Sequence, residues 1–165
     1  MAEIDQIIRS NEKYSNDFKY GMLASSPTRK LAVLSCMDTR INVENVLGLG
    51  VGEAHIIRNA GGIATEDAIR SLIISHELLG TKQFIVLNHT ECGLLKLTDK
   101  EFQNRLTEKY KSNASEMKFH FFTNLEQSVK DQVIRIKSTP FFSPEISVFG
   151  FIYDVRTGKI IRVPI

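Results

Sequence analysis

Apolar residues fall along this chain in two alternating patterns. Short unbroken apolar runs at 30–35 and 82–88 read as strands buried on both faces. Residues 53–58 (Glu-Ala-His-Ile-Ile-Arg) read as a further strand. Between them lie stretches with helical spacing. A short helix is predicted over 43–49, ended by the glycines at 48, 50 and 52. A longer one runs over 66–79, capped by Thr65, with Ile69, Leu72, Ile73 and Leu79 on its inner face. Thr98 with Glu101 forms a capping box before Phe102, Leu106 and Tyr110. Thr123 with Glu126 gives the same pattern before Leu125, Val129, Val133 and Ile136, and Pro140 and Pro144 end that helix. The polar residues 111–120 read as a loop. Residues 145–155 and 160–163 close the chain as a hairpin around the turn at 156–159.

Strands alternating with helices predict an α/β fold: a parallel-centred β-sheet flanked by helices, with an antiparallel C-terminal edge strand. Residues 3–18 carry Ile4, Ile7, Ile8, Tyr14 and Phe18 on one stripe, and a polar stretch separates them from the first strand. They read as an N-terminal helical arm, about residues 1–20, of a single domain spanning 1–165. At 165 residues and 42% hydrophobic, the chain can bury a core without disulfide or metal staples. A net charge of +2 offers no basic field for nucleic acid or for a membrane surface. No apolar run approaches the ~20 residues that span a bilayer. The first residues lack the charged start and apolar middle of a secretory signal. The expectation is a cytoplasmic protein with no nucleic-acid and no membrane partner, its two cysteines kept reduced.

Those two cysteines carry the chemistry. Cys36 opens Cys-Met-Asp-Thr-Arg after the first apolar run, and Cys92 closes His89-Thr-Glu-Cys92 after the third. Ligands of open α/β sheets gather at the carboxyl ends of strands, so the topology brings both segments to one edge. Two thiolates and an imidazole suit Zn²⁺, and three protein ligands leave the fourth tetrahedral position open, the mark of a catalytic site. A lone H-x-x-C is weak; C-x-D-x-R at a second strand end makes the pair specific. Asp38 has three readings: a fourth ligand, a general base or a turn residue. Arg40, two residues on, can grip it with a forked, charge-assisted pair, keeping the carboxylate ionised, aimed and off the metal. His55 and His76 read as ordinary strand and helix residues, and His120 lies in no motif. Gly61 and Gly62 form a tight loop that permits positive φ and close backbone approach, and its N–H groups are candidates for holding substrate oxygens. Other motifs fail: Asn42 stands where a phosphatase thiolate loop needs arginine, there is no C-x-x-C, and the glycines at 48–52 precede a strand instead of joining one to a helix.

Cys36-Met-Asp-Thr-Arg40, Arg58-Asn-Ala-Gly-Gly62, His89-Thr-Glu-Cys-Gly93 and Ile152-Tyr-Asp-Val-Arg-Thr-Gly158 together resemble the β-class carbonic anhydrase family, in its compact archaeal and bacterial branch. The resemblance spans roughly residues 1–163. It implies one Zn²⁺ per subunit on Cys36, His89 and Cys92, and a catalytic dyad of Asp38 and Arg40. It also implies a homodimer, or a higher homo-oligomer, whose N-terminal helices wrap the neighbour. Glu91 departs from the aspartate common in the family, and no equivalent appears of the glutamine that the plant-like branch turns toward substrate.

The expected activity is reversible hydration of carbon dioxide to bicarbonate and a proton by a zinc-bound hydroxide. Two thiolates cancel the formal charge of the metal, so activity is expected to rise toward alkaline pH. The same scaffold supports hydrolases of carbonyl sulfide and carbon disulfide, which form the alternative. A non-catalytic zinc-binding domain is the third reading; the Asp38–Arg40 pair speaks against it, since a purely structural site closes its fourth position with protein.

Overall fold

The computed structural model describes residues 2–165; Met1, the first residue of the expected arm, lies outside them. Among the described residues the sheet has five strands: β1 (Leu31–Cys36), β2 (Ala54–Asn59), β3 (Gln83–His89), β4 (Ser147–Tyr153) and β5 (Ile160–Val163). Their order is β2-β1-β3-β4-β5; the first four are mutually parallel, and β5 returns antiparallel along β4. The helices are α1 (Glu3–Asn16), α2 (Val43–Leu47), α3 (Glu66–Glu77), α4 (Asp99–Tyr110) and α5 (Leu125–Lys137). None is long and apolar enough to cross a membrane.

Every residue of β1 is buried, as an unbroken apolar run at the centre of a covered sheet requires. One core cluster joins Ala32, Leu34, Phe84, Val86 and Val148 of the sheet to Ala68 and Leu72 of α3 and to Val129, Val133 and Ile136 of α5. A second joins Leu31, Val33 and Leu87 to Ile41, Val43, Leu49 and Tyr153, and it includes Cys36 and Cys92. The two clusters support the central strands from both faces, so the carboxyl ends of β1 and β3 are rigid mounts.

Three local expectations shift. Cys36 and His89 are the last residues of β1 and β3, where the sequence placed them just beyond the strands. The 3₁₀ turn Ala60–Gly62 follows β2 directly. Helix α5 is capped by Asn124, whose side chain accepts the Gln127 N–H, and not by Thr123. Both residues fit the local capping pattern, and an asparagine in extended backbone at that position serves as well as threonine. The box at Thr98 and Glu101 forms as read. Helix α1 buries none of its residues.

Candidate metal centre

Strand register places the site. Strand β1 lies between β2 and β3, with Cys36 opposite Asn59 and Ser35 opposite Leu87. Ser35 donates its hydroxyl to the Leu87 carbonyl at 2.9 Å, tying the two strand ends that carry cysteine and histidine. Beyond β3 the chain turns back through Thr90 and Glu91, and Glu91 adopts positive φ (57°). That turn returns Cys92 toward His89. The ligand atoms of Cys36, His89 and Cys92 lie within 4.8 Å of one another, and all three residues are buried.

His89 is set for coordination. Its Nδ1 sits 2.8 Å from the Thr90 carbonyl. A carbonyl only accepts, so Nδ1 carries the hydrogen and Nε2 presents its lone pair. That Nε2 is fully buried and has no hydrogen-bond partner among the described residues. Buried polar atoms are almost always paired, and an imidazole nitrogen left bare between two thiols has a metal ion as its natural partner. The donor set therefore fits a borderline-soft cation.

The two thiols share charge unequally. The adjacent Cys92 thiol, the nearby His89 ring and the Asp38 and Gly61 amides lower the Cys36 pKa well below the usual thiol range, against the opposing effect of burial. Cys92 moves upward, because it donates to the Cys36 sulfur and is itself buried. Burial disfavours the imidazolium at His89, but the neighbouring Cys36 sulfur, with the Thr90 carbonyl and the Asp38 carboxylate, outweighs it and raises the pKa. A metal held here would take both cysteines as thiolates, so its binding would release protons.

Asp38 stands beside the trio: its Oδ2 is 3.7 Å from His89 Nε2. Arg40 holds it as expected. The Arg40 Nε donates to Asp38 Oδ1 at 2.9 Å and Nη2 to Oδ2 at 2.8 Å, and the Arg40 backbone N–H adds a third bond to Oδ1 at 2.9 Å. This grip holds the Asp38 carboxyl far below the usual carboxylate range.

Gly61 and Gly62 close the other side with φ of 80° and 61°. A Cβ on Gly62 would lie 2.5 Å from Asn88 Oδ1 and 3.0 Å from the Cys36 nitrogen, so only glycine lets the loop lie against the end of β1. Asn59 clips this loop shut by accepting the Ile63 N–H at 2.8 Å and donating to the Ile63 carbonyl at 2.7 Å.

A brace from the neighbouring strand escaped sequence reasoning. Arg58 on β2 donates Nε to the Cys36 carbonyl at 3.0 Å and Nη2 to the Asp38 carbonyl at 2.7 Å. It braces the backbone between Cys36 and Asp38. Its position before the Asn-Ala-Gly-Gly loop was the available clue, but the contact depends on β2 pairing beside β1. The histidines set aside in the sequence have structural partners. His55 bonds Ser75 Oγ at 2.7 Å, and His76 bonds the Thr81 carbonyl at 2.6 Å.

Comparison with known proteins agrees with this geometry. The family model described as carbonic anhydrase matches residues 31–160. The chain is 38% identical over 163 residues to beta-carbonic anhydrase 1 of Mycobacterium tuberculosis (strain ATCC 25618 / H37Rv), covering 99% of each chain. It is 31% identical over 181 residues to a carbon disulfide hydrolase of Saccharolobus solfataricus, covering 95% of this chain and 89% of the relative. A crystal structure of carbonic anhydrase from Streptococcus mutans superposes with a TM-score of 0.94 at 39% identity, over 99% of both chains. The fold, the buried Cys-His-Cys cluster and these matches agree: the chain belongs to the β-class carbonic anhydrase family.

Proposed function

We propose that the protein hydrates carbon dioxide reversibly to bicarbonate and a proton, at a zinc ion held by Cys36, His89 and Cys92. The observation that carries this reading is the convergence of those three buried ligand atoms within 4.8 Å, beside a carboxylate that Arg40 holds away from them. Bound zinc supplies Lewis acidity, bringing the pKa of a coordinated water down toward the physiological range. Asp38, ionised and fixed, accepts a hydrogen bond from the attacking oxygen and aims its free lone pair at the carbon. Arg40 keeps Asp38 in that role by occupying both of its oxygens. Arg58 holds the Cys36 and Asp38 carbonyls and so fixes the distance between ligand and dyad. The Gly61–Gly62 loop, which its positive φ lets lie against the end of β1, forms the wall facing the substrate.

The similarity to carbon disulfide hydrolases favours a second reading, hydrolysis of carbon disulfide or carbonyl sulfide by the same residues. Metal analysis with parallel assays of carbon dioxide hydration and of hydrogen sulfide release, on one preparation, separates the two. Bound zinc with no turnover of any of these molecules refutes both and leaves a zinc-binding domain.

The assembly is a homodimer or a higher homo-oligomer built by the N-terminal arm. Its support is the apolar stripe of α1, which this chain does not cover: Ile4, Ile7 and Ile8 are 63%, 55% and 53% exposed. The protein is one domain with that arm, and it works in the cytoplasm, where its two free thiols stay reduced.

A further inference from the structure

Beyond the dyad, an ion chain runs outward from Arg40 to the C-terminal turn. Arg40 Nη1 donates to Glu91 Oε2 at 3.2 Å, and Nη2 reaches the Glu91 carbonyl at 3.4 Å. The other oxygen of Glu91, Oε1, accepts from Nε of Arg156. Arg156 is itself placed by its turn. Asp154 accepts the Arg156 N–H at 2.8 Å and the Thr157 hydroxyl at 2.9 Å. Thr90 accepts the Val155 N–H at 3.1 Å, binding that turn to the segment that carries Glu91.

We propose that Glu91 is a positioning residue of this site: anchored by Arg156, its carboxylate fixes the Arg40 guanidinium in the plane that clamps Asp38. The argument is geometric. A guanidinium held only by Asp38 can rock about that fork, and the pair moves together. Contact with Glu91 on the far edge removes this freedom, because the planar fork is then held from two directions. Glu91 keeps a left-handed backbone conformation, unusual for a residue with a side chain, and that conformation places its carboxylate between the two arginines. The side chains of Glu91 and Arg156 are 40% and 80% exposed. Exposed pairs contribute little to stability, so the chain serves aim rather than folding. This role rests on the assignment of Asp38 proposed above.

The test uses full-length zinc-loaded protein with Glu91→Gln, Arg156→Gln and the double variant. Two readouts are taken besides melting temperature and zinc content: carbon dioxide hydration, and solvent exchange of the Arg40 Nε–H followed by side-chain ¹⁵N NMR. Glu91→Gln is expected to lower turnover and accelerate Arg40 Nε–H exchange, each by on the order of tenfold, with zinc content and melting unchanged. Arg156→Gln shifts both readouts in the same direction by less, and the double variant matches Glu91→Gln alone because Arg156 acts through it. Unchanged Arg40 exchange in Glu91→Gln, or losses that multiply in the double variant, overturn the proposal. The exchange readout needs no turnover, so inertness toward carbon dioxide with Arg40 exchange still dependent on Glu91 refutes the functional reading alone, whereas unchanged exchange refutes the positioning role.

Discussion

At the residue scale, the site divides its work among neighbours in sequence. On the proposed reading Cys36 is a ligand, Asp38 the carboxylate that aims the attacking oxygen, and Arg40, which forks both of its oxygens, the holder. Asp38→Asn keeps the shape but gives up the charge and one acceptor. It is expected to retain zinc while losing ~100-fold or more of the hydration rate, read by stopped flow beside metal analysis. Full activity in that variant refutes the role. The convergence of these side chains was legible in the chain. The C-x-D-x-R and H-x-x-C segments each follow an apolar run, and that fixes which residues reach a strand end. Arg58, Glu91 and Arg156 were not legible as site residues, because their partners lie 20 to 65 positions away and meet them only through sheet register and turns.

At the element scale, Asp99 opens α4 and also gathers the following loop. Its carboxylate accepts the N–H groups of Phe119, His120 and Phe121 at 2.9, 3.2 and 2.8 Å. Burial alone would raise its pKa, but these three bonds outweigh it and hold the carboxyl below the usual aspartate range. The native value is depressed, so the stabilisation is complete above the unfolded-state value and is lost as pH falls through the native one. Asp99→Asn, which turns an acceptor into a donor facing N–H groups, is expected to cost about 1–2 kcal/mol near neutral pH. Denaturant melts should show this difference shrinking in acid; a difference independent of pH contradicts the account. Gly150 of β4 is a second test. A Cβ there would meet Val129 Cγ1 at 2.5 Å, so Gly150→Ala should destabilise by ~1–3 kcal/mol through overpacking against α5. The capping box at Thr98 was readable because both members lie within one turn. The Asn124 cap was misassigned because adjacent Thr123 fits the same pattern, and only backbone conformation separates them.

At the scale of the whole molecule, the alternation of strands and helices gave the sheet, its parallel centre and its antiparallel edge. It gave the existence of the arm but not what the arm covers, because an apolar stripe on a helix states a need and not a partner. Helix α1 leaves that need unmet within the chain. Sedimentation velocity should therefore find the full-length protein as a dimer or larger, and Ile7→Asp with Ile8→Asp should shift it toward the monomer. A monomeric wild type would remove the arm's proposed role.

The central claim is that one buried Cys-His-Cys site does the chemistry, and Cys92 tests it most directly. Wild-type protein and Cys92→Ser should be compared for zinc content and for stopped-flow carbon dioxide hydration. The account predicts about one zinc per wild-type chain, with most of the metal and the hydration activity lost together in the variant. Normal zinc content in Cys92→Ser, or hydration that survives the loss of metal, contradicts it.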